Sequence, residues 1–222
     1  NLIEKEKAHE FPSKNFKPEF IKELESDFKI LQDIQSMWKD VNQDPKLDEF
    51  ARILSEDKIL KKHKILVFTE SKETAEYLEA KLNPKFDNKV MAFSSKSSES
   101  ARGQIIENYD ANCPKKKQKD DIKILISTDI LSEGVSLHRS NVVINYDIPW
   151  NPVRMMQRVG RVNRVSKNPP FDTIYTYNFF PAGPINKNIS LKEAAESKIA
   201  AFIEMLGNDA KLLTDEDVKS HD

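Results

Sequence analysis

Arg158, Arg161 and Arg164 recur at i, i+3 and i+6 around Gly160, in the segment Gln157-Arg158-Val159-Gly160-Arg161-Val162-Asn163-Arg164. No Asp or Glu occurs between Asp147 and Asp172, whereas Arg154, Arg158, Arg161, Arg164 and Lys167 all fall there. A local excess of guanidinium calls for an anion from elsewhere. Its planar fork matches phosphate oxygens and stays charged at any working pH, so a polyphosphate or a nucleic-acid backbone is the expected partner. The simplest alternative is a solvated basic helix face, which most charge runs are. Local context weighs against it. Asn151-Pro152 pairs an N-cap residue with proline at the first helical position, and Met155, Val159 and Val162 follow at a spacing that anchors one face in a core.

The elements that must position these arginines alternate in kind. Ile65-Leu66-Val67-Phe68 is a short apolar run expected of a strand buried on both faces, and Ser71 opens a helix through Leu82. A strand over Lys89 to Phe93 and a helix from Ser98 to Tyr109, with Ala101, Ile105 and Tyr109 on one side, repeat the unit. The polar stretch Asp110 to Asp121, with Lys115-Lys116-Lys117-Gln118-Lys119, is expected to be an exposed loop. Further strands are predicted at Ile122 to Ile126, Val142 to Asn145 and Thr173 to Phe179, with a helix starting at Pro152. This alternation predicts an α/β fold with a mostly parallel sheet and helices on both faces. Ligands of such sheets sit at the carboxyl ends of the strands, where Thr69, Ser94, Ser95, Ser127 and Thr128 stand.

Helical segments flank the sheet. From Pro18 to Val41, Phe20, Leu24, Phe28, Leu31, Ile34, Trp38 and Val41 form an amphipathic stripe. Asp44-Pro45 restarts the chain, and Leu47, Phe50, Ala51 and Leu54 give a second helix its inner face, with the helical preface ending near Leu60. At the other end, Ser190 and Glu193 form a capping box, Leu191, Ala195, Ile199, Phe202 and Leu206 a stripe, and Gly207 a stop. The expected division is a helical extension over 1–60, the sheet domain over 61–182 and a second helical extension over 183–222.

Composition bounds the function. The 35 basic and 36 acidic residues give a net charge of −1, so any nucleic-acid surface must be a patch made by the fold. Cys113 is the only cysteine, which excludes an internal disulfide and agrees with a reducing compartment. The four histidines show no metal-ligand spacing, so no metal site is expected. No apolar run reaches membrane-spanning length and no signal peptide opens the chain, which leads to the expectation of a cytoplasmic protein. The first residue, Asn1, suggests a segment of something longer.

Three blocks carry a family resemblance. Lys64-Ile65-Leu66-Val67-Phe68-Thr69-Glu70 resembles motif IV of superfamily-two helicases, Ile124 to Asp129 through Glu133-Gly134-Val135-Ser136-Leu137 resembles motif V, and Gln157 to Arg164 resembles motif VI. Their order and spacing are similar to the carboxy-terminal RecA-like lobe of that superfamily. The segment Val143 to Pro152 resembles the SWI/SNF-type DNA translocases most, as does Pro45-Lys46-Leu47 with Leu54. Serine at position 136, where DEAD-box relatives typically carry a ribose-contacting aspartate, departs from the RNA helicases.

The resemblance implies roles residue by residue. Arg161 and Arg164 occupy arginine-finger positions toward the γ-phosphate of ATP, and Gln157 would help place the nucleotide or attacking water. Glu133, Gly134, Ser136 and Arg158 are the expected ATP contacts, and Thr69, Ser94, Ser95, Arg102, Ser127 and Thr128 the expected grip on the sugar-phosphate backbone of duplex DNA. None of the five glycines begins a GxxxxGK[ST] loop, and no acidic Walker B block follows a strand. ATP and Mg2+ would therefore be held mainly by an N-terminal RecA-like lobe of the same protein, and this segment alone would be inactive. An RNA-directed lobe of the same superfamily, or a nonenzymatic adaptor with the same fold, are the rivals.

Overall fold

Five four-residue strands build the centre of the molecule: β1 (Ile65–Phe68), β2 (Val90–Phe93), β3 (Ile124–Ser127), β4 (Val142–Asn145) and β5 (Tyr175–Asn178). They form one sheet in the order β2-β3-β1-β4-β5, every neighbouring pair parallel. This computed structural model describes His9 and residues 11–39, 41–132, 135–149, 151–162, 171, 173–180, 193–194 and 196–197. Among the described residues the α-helices with stated limits are α1 (Pro18–Lys39), α2 (Pro45–Glu56), α3 (Lys58–Lys62), α4 (Lys72–Leu82), α5 (Glu99–Tyr109) and α6 (Pro152–Val159). The predicted α/β architecture is the one observed, with strand limits within two residues of those read from the sequence.

Strand side chains alternate between two layers. Ile65, Val67, Ile124, Ile126, Val142 and Ile144 face one cluster with Leu47, Phe50, Ala51 and Leu54 of α2, Leu60 of α3 and Ala75, Leu78 and Leu82 of α4. Leu66, Phe68, Leu125 and Val143 face the other, with Ile105 and Tyr109 of α5 and Leu131, Val135, Leu137 and Val162. Covering both faces explains why β1, β3 and β4 are buried along their whole length and read as continuous apolar runs. Strands β2 and β5 lie at the edges and are partly exposed.

Short side chains fix where the helices begin. The Ser71 hydroxyl accepts from the Thr74 amide at 3.0 Å and the Ser98 hydroxyl from the Ala101 amide at 3.2 Å, each satisfying a donor that the first helical turn leaves open. At α6 the Asn151 side chain accepts from the Val153 amide at 3.0 Å, directly ahead of Pro152 as expected. The lysine-rich stretch forms a single 3-10 turn, Lys115–Lys117, and is exposed.

Two compact units divide the chain, Asn1–Lys46 and Leu47–Asp222. The sheet unit starts earlier than the expected boundary at 61, because the apolar face of α2 belongs to the sheet's own core. In the first unit α1 starts at Pro18 as predicted and ends at Lys39, short of Val41; it buries none of its residues, and Phe28, Leu31 and Trp38 are 62%, 62% and 74% exposed. The stripe of the C-terminal helical extension, with Ser190 and Gly207, lies outside the described residues. No helix among the described residues is long and apolar enough to cross a membrane.

Candidate functional site

At the centre of the sheet, β1 and β3 are neighbours whose onward connections leave toward opposite layers. β1 leads into α4 on one face, whereas β3 leads into Leu131, Val135 and Leu137 on the other. Such a divergence opens a crevice at the carboxyl ends of the two strands, the usual ligand position in open α/β sheets. Glu70, two residues past β1, and Asp129, two past β3, stand at its rim.

Arg158 of α6 enters this crevice and is almost wholly buried, 2% exposed. All five of its N–H donors are engaged within the chain. Nε donates to Asp129 Oδ1 at 2.7 Å, and Nη2 donates to Asp129 Oδ2 at 3.2 Å and to Glu70 Oε1 at 2.7 Å. Nη1 donates to Asn145 Oδ1 at 3.0 Å and to the Asp147 carbonyl at 3.1 Å. The guanidinium also lies over the Phe68 ring, 5.2 Å from its centre. One side chain thus ties α6 to the ends of β1, β3 and β4.

The surroundings extend the same network. Arg154, one turn earlier and half exposed, pairs with Glu70 at 3.2 Å and Asp129 at 3.4 Å. Asn145, fully buried, donates through Nδ2 to Asn178 Oδ1 at 2.8 Å and so links the clamp to β5. The Asp147 carboxylate accepts from the Thr69 hydroxyl and, at 3.3 Å, from the Glu70 amide, which shapes the turn leaving β1. The segment lacks carboxylates along the chain but not in space: β1 and β3 deliver Glu70 and Asp129, so for Arg154 and Arg158 the anion expected to be a phosphate is the protein's own carboxylates.

The expected site residues divide accordingly. Arg158, expected at the nucleotide, has every donor committed to the chain, because the crevice that receives it is lined with acceptors. Thr69 and Ser127, expected on the track, are fully buried: the Thr69 hydroxyl goes to Asp147, and that of Ser127 bonds the carbonyls of Phe93 at 3.1 Å and Thr128 at 2.8 Å. Ser94 is buried, its amide donating to the Ser97 hydroxyl at 2.9 Å, while Ser95 is exposed in the turn beyond it. The register nonetheless places Ser94, Thr128 and Thr69 in one row at the carboxyl edge. Thr128, Ser136 and Arg102 are half-buried and Gln157 is exposed. Arg161, half-buried, opens the turn after α6, its amide donating to the Arg158 carbonyl at 3.2 Å. Glu133, Gly134 and Arg164 lie outside the described residues. No group of three His, Cys, Asp or Glu side chains among the described residues could hold a metal ion. Glu70 and Asp129 converge, but two guanidinium groups already balance them.

Sequence reasoning missed Glu70, Asp129, Asn145 and Asp147 as a set. Their common signal was position: each stands at or just past the carboxyl end of a predicted strand, beside the hydroxyls that were noticed.

Comparison with known proteins agrees with this geometry. Residues 45–166 match the family described as helicase conserved C-terminal domain. An uncharacterized ATP-dependent helicase of Bacillus subtilis is 37% identical over 93 residues, 42% of this chain and 16% of the relative. A probable ATP-dependent RNA helicase of Methanocaldococcus jannaschii is 32% identical over 133 residues, 60% of this chain and 33% of the relative. The ATP-dependent DNA helicase fml1 of Schizosaccharomyces pombe is 28% identical over 144 residues, 62% of this chain and 17% of the relative. The chain thus spans a third or less of these relatives. Among solved structures, the C-terminal part of the Fun30 ATPase domain superposes with a TM-score of 0.52 at 23% identity, over 67% of this chain and 45% of that one. The C-terminal domain of the DEAD-box protein Dbp5 gives 0.52 at 18% identity, over 78% and 83%. These two likenesses concern the fold. With the family match covering more than half its length, and the motif-bearing strands and α6 inside that match, the chain belongs to the helicase C-terminal domain family.

Proposed function

We propose that this chain is the second motor lobe of an ATP-dependent DNA translocase or helicase, acting with an N-terminal RecA-like lobe of the same protein that holds ATP and Mg2+. The observation that carries this reading is the buried Arg158 clamp. It fixes α6 at the sheet's crevice, so that Arg161, one turn further on, is presented from a rigid base. A phosphoryl group in transfer spreads negative charge over its oxygens, and a fixed guanidinium stabilises it without moving a proton. Arg161 and Arg164 supply that charge, and Gln157 orients the nucleotide or water. Arg158 serves as a positioning residue, leaving Glu133, Gly134 and Ser136 as the nucleotide contacts of this lobe.

The track is gripped at the row formed by Ser94, Thr128 and Thr69, where Ser95, Thr128 and Arg102 offer donors to phosphate and the buried Thr69 and Ser127 shape the edge. Such contacts ignore base identity, as a motor on mixed sequence requires. Duplex DNA is favoured by the SWI/SNF-like segment from Val143 to Pro152 and by Ser136. The likeness to a probable RNA helicase supports an RNA track as the second reading. Stimulation of the full-length ATPase by duplex DNA, compared with RNA, separates the two.

Arg161→Ala in the full-length protein tests the central assignment. ATP binding, measured by equilibrium titration, is expected to persist while turnover falls by about 10³ to 10⁵. Unchanged turnover would refute the finger role.

A further inference from the structure

The opposite edge of the sheet carries charge that the motor reading does not use. A lysine immediately precedes each of three neighbouring strands: Lys89 before β2, Lys123 before β3 and Lys64 before β1. The register Val90, Ile124, Ile65 aligns them in one row at the amino edge, with adjacent strands about 4.8 Å apart. Backbone bonds hold the row together: the Lys123 amide donates to the Lys89 carbonyl at 2.9 Å, and the Ile65 amide to the Lys123 carbonyl at 2.8 Å. The Lys123 ammonium donates to the Lys61 carbonyl at 2.6 Å, in the last turn of α3, and brings that helix end to the row.

The acids near this edge distinguish its members. Lys64 is matched by Asp120 at 3.1 Å, which also takes Arg139 at 2.7 Å, and Lys119 is matched by Glu107 at 2.8 Å. Lys123 differs from both. Burial lowers its pKa first and the neighbouring charges of Lys89 and Lys61 lower it further, with no acid acting in the other direction. Lys61 and Lys89 are exposed, so the backbone-linked row sets two solvent-facing lysines on either side of the Lys123 ammonium.

We infer that Lys61, Lys89 and Lys123 form a second nucleic-acid contact, on the edge of the lobe opposite the motor crevice, which binds the sugar-phosphate backbone without regard to sequence. Crowding cations raises the free energy of the unbound protein, and a polyanion relieves it. Flexible ammonium groups on an open strand edge suit a repeating phosphate chain, whereas a small anion needs a concave site with converging donors. A strand of nucleic acid held here adds a contact that does not open and close with the ATP cycle, so the track stays attached while the crevice releases it. The choice of nucleic acid as the polyanion rests on the motor reading, but the contact itself does not depend on hydrolysis.

The test is equilibrium binding of the full-length protein to a short fluorescein-labelled, mixed-sequence duplex DNA. Fluorescence anisotropy is read without nucleotide between about 50 and 200 mM salt. Lys61→Gln/Lys89→Gln should reduce the slope of log affinity against log salt by about 2, since each lost phosphate contact removes about 0.9. Lys61→Arg/Lys89→Arg should keep the slope, and Lys22→Gln/Lys29→Gln, an equal charge change on exposed positions of α1, should leave it as in the unmodified protein. An unchanged slope in the glutamine double, or an equal fall in the α1 control, would overturn the assignment. Because no nucleotide is present, failure here is distinct from failure of the Arg161 finger, which only turnover reads.

Discussion

Replacing Arg158 by lysine keeps the charge and removes the fork, which makes it a sharp test of the clamp. Five donors meet five acceptors in the crevice: three bonds run to the carboxylates of Asp129 and Glu70, and two to Asn145 Oδ1 and the Asp147 carbonyl. An ammonium carries three donors on a single nitrogen, so at least two acceptors lose their partner. Each buried acceptor left open costs about 1 to 3 kcal/mol, which puts the loss of two in Arg158→Lys at about 2 to 6 kcal/mol. Arg158→Met, similar in bulk and uncharged, leaves the two carboxylates with Arg154 alone and falls within about 3 to 5 kcal/mol. The low end is expected, because Glu70 is 41% exposed and water screens that arm. Urea unfolding followed by circular dichroism gives the cost as a shift of midpoint at constant slope. Arg154→Lys is the internal comparison: its side chain is 51% exposed, and the loss should stay under about 1 kcal/mol. Should Arg158→Lys lie within about 0.5 kcal/mol of the unmodified protein, or match Arg154→Lys, the guanidinium is not holding α6.

Asp57 caps α3, its Oδ1 accepting from the Ile59 and Leu60 amides at 2.7 and 2.9 Å and from the Tyr177 hydroxyl at 3.2 Å, so Asp57→Ala should cost about 1 kcal/mol. Burial alone would raise this carboxyl, but those bonds outweigh it and bring it below the usual 3.8. A depressed folded value means that the contribution is complete above 3.8 and is lost as pH falls through the folded value, so the unfolding curves of the two proteins should draw together in acid. Asn108, 1% exposed on α5, accepts from the Ile122 amide at 3.0 Å and donates to the Gln104 carbonyl at 2.9 Å. Asn108→Ala should cost about 1 to 3 kcal/mol and speed hydrogen exchange at Ile122; protection unchanged at that amide would contradict the bond's importance.

What the sequence made legible was local. Ser71, Ser98 and Asn151 announced helix starts because an N-cap acts within three residues, and β1, β3 and β4 announced themselves because strands buried on both faces must be continuously apolar. The clamp was illegible for the opposite reason: Glu70 lies 88 positions from Arg158, and Asp129 lies 29. A stretch without carboxylates says nothing about the carboxylates that a parallel sheet carries to the same edge. The stripe of α1 shows the converse limit. Its period specified a helix correctly, yet period alone does not determine what a helix buries, and α1 buries none of its own residues.

Those distant acids also decide how the arginines divide their labour. Arg154 and Arg158 stand against Glu70 and Asp129, and with the Asp147 carboxylate bonded into the same network the cluster carries no net positive charge. Such a cluster exerts little pull on a triphosphate, so in the proposed function the charge at the γ-phosphate is assigned to arginines beyond it, Arg161 and Arg164, which follow in sequence. Geometry agrees with electrostatics here. A helix held at three strand ends by one buried side chain resists rotation about its axis, and a residue three positions later inherits that rigidity. Positioning matters because a guanidinium lowers a barrier only where charge develops, and displacement by about 1 Å costs on the order of 10² in rate. The salt-bridged crevice thus commits one arginine to the protein, and under the proposed function that commitment is what lets the next one serve the nucleotide.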